Sequence, residues 1–134
     1  MYYNLFISHS WQYSHQYYNL INLLNKEYNF YWKNYSVGPD YCFDWTKRAK
    51  SKTMQYNLTQ QIRPVSCVIL IGGRYVNYRE WIQFEIAVSQ SFSKPILGVL
   101  PFGIRLIPEL LKNVCTEIVG WNSKSITNAI MQMN

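Results

Sequence analysis

The stretch "VSCVILIGG", residues 65–73, constrains this chain more than any other. A continuous apolar run that ends in two glycines is the pattern of a strand covered on both faces in a parallel sheet. The rest of the chain must then supply layers for both sides of that sheet, and its order of elements does so. "YYNLFIS" reads as a first strand, and "SHQYYNLINLLNKEY" as a helix with Tyr17, Leu20, Ile21, Leu24 and Tyr28 at helical spacing and Ser14 as N-cap. "NFYWKNY" is a second strand. The segment "SVGPDYCFDWTKRAKSK" combines Gly-Pro-Asp turn chemistry with a basic run and reads as a long loop, the best candidate for a functional one.

"MQYNLTQQIR" is helical up to Pro64, and "EWIQFEIAVSQSF" is helical after the apolar strand. "KPILGVLPFG" is a fourth strand, "IPELLKNV" a short helix, "EIVGW" a fifth strand and "SKSITNAIMQM" a closing helix. Alternation of this kind predicts an α/β fold with right-handed crossovers. The sheet is expected to be open, parallel and five-stranded, in the flavodoxin-like order 2-1-3-4-5, with helices on both faces. At 134 residues, one core is expected, hence one domain spanning 1–134.

In such a sheet ligands bind beyond the carboxyl ends of the strands, at the switch point between strands 1 and 3. "SHSW", "GGRY" and the start of the helix after strand 3 converge there. That helix carries an anomaly. At about 100° per residue, Trp81, Val88 and Phe92 fall within roughly 60° of Glu85 on one flank and Ile82 on the other, while Glu80, Gln83 and Gln90 gather opposite. A carboxylate in an apolar arc is paired, placed at the mouth of a cleft, or pushed to a raised pKa. Pairing with Arg79 or Lys94 is the structural alternative to a catalytic role.

Composition excludes some chemistry. Three cysteines without C-x-x-C spacing argue against a disulfide framework or a zinc site, so no metal is expected. Neither G-x-G-x-x-G nor G-x-x-x-x-G-K-[ST] occurs, which removes the usual phosphate cradles. The acidic residues of a phosphate-accepting receiver domain are missing beside strands 1 and 3. No stretch resembles an export signal or a bilayer span, so a cytoplasmic, membrane-free protein is expected. Net charge +6 attracts anions without choosing among them.

Taken together, "LFISHSW", "SCVILIGG", "REWIQFEIAVS" with its Trp-x-x-x-Glu spacing, "KPILGVLPFG" and "EIVGWNSKSI" resemble, in register and over essentially the whole chain, the TIR-like subunit of Thoeris anti-phage defence systems. The resemblance implies a TIR-like domain that takes NAD as substrate, with no separate cofactor. On infection it makes a cyclic ADP-ribose signal for a separate NAD-consuming effector protein, and it self-associates when active. It places the catalytic glutamate on Glu85 and substrate-lining groups at Phe6, Ser8 and His9, with Trp81 as a pocket wall. Phe43 and Trp45 are candidates to stack on a base of NAD, with Lys47, Arg48, Lys50 and Lys52 drawing in its pyrophosphate. The Arg-Asp-x-x-Pro-Gly signature of many TIR loops is absent, and "SVGPDYCFDW" stands in its place. Two other readings stay open: a non-catalytic interaction module and, less favoured, a nucleic-acid-binding domain using the basic aromatic loop.

Overall fold

The computed structural model describes residues 2–8, 14–36, 52–72, 79–104 and 106–133; of residues 14, 53, 54 and 79–81 it describes the backbone only. Five strands, β1 (Tyr3–Ser8), β2 (Trp32–Asn34), β3 (Cys67–Ile71), β4 (Ile96–Val99) and β5 (Glu117–Val119), form one sheet in the order β2-β1-β3-β4-β5. Every neighbouring pair is parallel. The described helices are α1 (Ser14–Lys26), α2 (Lys52–Ile62), α3 (Arg79–Ser91), α4 (Glu109–Val114) and α5 (Ser123–Gln132). This is the flavodoxin-like architecture that the alternation predicts.

Strand periodicity divides the core in two. Leu5 and Ile7 of β1, Cys67, Ile69 and Ile71 of β3, and Leu97 and Val99 of β4 pack against α1 and α5 through Leu20, Leu24, Ile126 and Ile130. The alternate positions Phe6, Val68, Leu70 and Ile96 pack on the other side against Leu58 and Ile62 of α2, Ile82 and Ile86 of α3, and Leu111 of α4. The apolar run of β3 is buried at every position because it feeds both cores.

Element ends differ from the sequence reading in instructive ways. Helix α1 stops at Lys26, and Asn29 takes a left-handed backbone (φ 68°), a region asparagine tolerates. Tyr28 therefore leaves the apolar stripe and stands 91% exposed. Helix α2 begins at Lys52, inside the segment read as loop. Strand β4 is confined to Ile96–Val99, because Pro95 precedes it and a turn with Gly103 at φ 87° follows. At α5 the local signal holds: the Asn122 side chain accepts from the Ser125 N–H at 3.0 Å, capping the helix start.

Gly98 in β4 sits where no side chain fits. A Cβ there would lie 2.8 Å from Cys115 Sγ and 3.2 Å from both Ile118 Cγ1 and Leu111 Cδ2. Gly98→Ala is expected to destabilise the fold by about 1–3 kcal/mol, the usual cost of overpacking, read as a lower urea midpoint with unchanged slope.

Candidate active site

The site is built where β1 and β3 part company with their connections. Ser8 is the last residue of β1 and pairs in register with Leu70 of β3, at the point where strand order reverses. Two residues after Phe6, it points to the same side of the sheet, the side covered by α2 and α3. Helix α3 returns across that face with Ile82, Glu85, Ile86, Val88 and Ser89 buried and Gln83 and Gln90 exposed, as its periodicity requires.

Glu85 therefore enters the sheet beside Ser8. Both are almost fully enclosed, at 3% and 1% exposure, and the Ser8 hydroxyl donates to Glu85 Oε1 at 2.6 Å. The helix turn beneath is secured by Ser89, whose hydroxyl donates to the Glu85 carbonyl at 2.7 Å. The core on this face is apolar: Phe6, Val68 and Leu70 from the sheet, Leu58 and Ile62 from α2. Burial in these surroundings pushes the Glu85 pKa up to about 8, and the Ser8 hydrogen bond offsets only part of that rise. No cation among the described residues holds it down; Lys94, weighed as an ion-pair partner, does not, and the Arg79 side chain lies outside the described residues. The two described cysteines differ from Glu85 in kind. Burial raises the Cys67 thiol to about 12 and the Cys115 thiol to about 11, which leaves both protonated and inert at neutral pH.

The chain that leaves β2 starts next to this point. Ser36 Oγ accepts from the Ile7 N–H at 2.8 Å, the Tyr35 N–H donates to the Leu5 carbonyl, and Asn34 Oδ1 accepts from the Ser36 N–H. Tyr35 and Ser36 are thereby anchored alongside the end of β1. At the end of β3, Gly72 is pressed against α4, since a Cβ would lie 3.0 Å from Leu111 Cδ2 and 3.2 Å from Leu100 Cδ2.

Of the residues singled out in the sequence, Glu85 and Ser8 are brought together, and Phe6 lies fully buried in the core behind them. Trp81 is on the first turn of α3, with its side chain outside the described residues. His9, Phe43 and Trp45 lie outside the described residues, as do Lys47, Arg48 and Lys50; Lys52 is exposed and opens α2. The sequence reading missed the direct Ser8–Glu85 bond and the part of Ser36. The first was within reach: period two puts Ser8 on the same side as Phe6, and the crossover after β3 must cover one side or the other. Among the described residues no three His, Cys, Asp or Glu side chains gather in metal-ligating geometry, and no helix is long and apolar enough to cross a membrane.

A buried, nearly neutral acid at the switch point is equipped to meet positive charge: it ionises when a cation arrives, and the low dielectric then strengthens their attraction. Comparison with curated proteins found no match. Among solved structures the chain is similar to the CMP N-glycosidase BcmB of Clostridium botulinum, at 17% identity and a TM-score of 0.47, over 96% of this chain and 98% of that one. The family model for the TIR-like domain of the Thoeris protein ThsB matches residues 6–104, about three quarters of the chain, from Phe6 in β1 through β4 and including both Ser8 and Glu85. The chain belongs to the ThsB TIR-like family of Thoeris defence proteins.

Proposed function

We propose that this protein cleaves NAD during phage infection and converts it to a cyclic ADP-ribose that activates a partner NAD-depleting effector. The observation that carries this reading is the enclosed Glu85 carboxyl beside Ser8 at the β1–β3 switch point. NAD presents a pyridinium attached to C1′ of a ribose. As the C1′–N bond lengthens, its electron pair passes to the ring nitrogen and nicotinamide departs neutral, without a proton donor. Positive charge moves onto the ribose, and an ionised Glu85 stabilises it, as carboxylates stabilise the oxocarbenium-like transition states of glycoside hydrolysis. A hydroxyl or ring nitrogen from the adenosine end, held near C1′ with water excluded, bonds to C1′ and closes the ring, and the proton it sheds passes to the Glu85 carboxylate and on to solvent. The protein itself needs no cofactor, acts in the cytoplasm and self-associates on activation.

The pH dependence follows from Glu85. In the free enzyme its pKa is raised to about 8, so the carboxylate that the reaction needs is a minority form at pH 7. Binding of the pyridinium favours it. The kcat/KM for NAD is therefore expected to rise between pH 6 and about 8 and then level, since this parameter reports the free enzyme. A profile flat across that range would contradict the assignment.

Mass spectrometry of small molecules from phage-infected cells tests the function directly. A new ADP-ribose species should appear with the wild-type chain and vanish with Glu85→Gln. One observation favours the interaction-module reading: Phe102 and Leu106, in the turn after β4, are 90% and 86% exposed. On that reading Glu85→Gln retains full protection of infected cells, and Phe102→Ser loses it.

A further inference from the structure

A serine hydroxyl has one hydrogen to give. In Ser8 it is already committed to Glu85 Oε1, at 2.6 Å. Ser8 therefore has no proton left to donate to a substrate. Its backbone is immobilised from two sides: the strand pairs with β3 at Leu70, and the Ile7 N–H is taken by Ser36 Oγ. Its side chain has a single χ angle and 1% exposure. Glu85 is the reverse case, a carboxyl at the end of three rotatable bonds, buried on the side of the sheet that carries the apolar core of α2 and α3. Among the described residues, the one polar contact of this carboxyl is the one made to Oε1. Among the described residues, Oε2 has no hydrogen-bond partner.

We propose that Ser8 is a positioning residue that pins Oε1 of Glu85 and so turns Oε2 toward the substrate ribose. The inference rests on the reading of Glu85 as the catalytic carboxylate. It assigns Ser8 a role through Glu85 in place of a direct contact with NAD. The division of labour is physical: a rigid strand end supplies the fixed point, and the flexible acid supplies the reach. Placement matters because misplacing a reacting group by about 1 Å can cost on the order of a hundredfold in rate.

The test uses the full chain purified from phage-infected cells, as wild type, Ser8→Ala, Ser8→Thr and Glu85→Gln, each checked by thermal melting. Ser8→Ala is expected to lower kcat for NAD by about 10- to 100-fold with KM within about threefold, and Ser8→Thr, which keeps the hydroxyl, to recover most of that loss. A second readout needs no turnover. Carbon-13 NMR of the Glu85 side-chain carboxyl should show its titration midpoint higher in Ser8→Ala by about half a pH unit or more, and near the wild-type value in Ser8→Thr. A raised KM with unchanged kcat would mean that Ser8 binds substrate, and an unmoved carboxyl midpoint would mean that it does not hold Glu85; either overturns the inference. Wild-type turnover by Glu85→Gln would instead sink the catalytic reading of Glu85, while the NMR comparison would still decide whether Ser8 positions the acid.

Discussion

Glu85→Gln is expected to remove nicotinamide release from NAD almost entirely, lowering kcat by on the order of 10²–10³, while the protein stays folded. The amide matches the acid in volume and its oxygen can still accept from the Ser8 hydroxyl, so the core on that face should be undisturbed. Only the capacity to carry negative charge is lost. Because that charge matters most as the ribose becomes cationic, the deficit should fall on kcat more than on KM. Release of nicotinamide, followed by liquid chromatography, measures it. An equal loss in KM with kcat preserved would assign Glu85 to ground-state binding alone.

The same substitution is expected to stabilise the empty protein, and increasingly so as pH rises. The sign follows from which state binds the proton. Glu85 has an ordinary value of 4.5 and a folded value of about 8, so between these limits the folded state holds a proton that the unfolded chain has released. Its contribution to stability is fully present below about pH 4.5 and is lost progressively up to pH 8. Linkage puts the loss at about 5 kcal/mol at most, and water reaching the carboxylate reduces it. Glutamine has no proton to lose. In urea unfolding at pH 5, 6, 7 and 8, the Glu85→Gln protein should gain on the wild type by roughly 2–4 kcal/mol across the series. Taking the difference between the two proteins cancels every other titrating group. A constant difference would show that Glu85 is ionised in the resting fold, contrary to its burial. A residue whose replacement raises stability while abolishing turnover follows the general trade-off in which active sites hold groups that the fold would otherwise reject.

The architecture was legible because each element declares itself locally. The run Cys67–Ile71 had to be covered on both faces, and it feeds both cores. The stripe Leu20, Leu24 and the pair Ile126, Ile130 announced the helices of one layer; Ile82 and Ile86 announced a helix of the other. Boundaries were less legible. Tyr28 fits a helical stripe by spacing alone, yet the chain turns before reaching it, because Asn29 adopts a left-handed conformation that no periodicity encodes. Lys52 reads as part of a basic loop by charge, but charge does not oppose helix, and α2 begins there.

The sequence by itself determined the layer order, the switch point between β1 and β3, and the presence of one acid on the apolar side of α3. Those are consequences of spacing along the chain, where the periods of helix and strand act over a few residues. Only the tertiary structure decided what that acid meets. Ser8 stands 77 residues away, and nothing in local periodicity specifies which group of the sheet will face which turn of a helix packed upon it. The raised pKa is likewise a property of the assembled fold, because desolvation arises from everything that surrounds the carboxyl at once. Sequence marked Glu85 as out of place, and three-dimensional packing turned it into a buried acid tethered by Ser8.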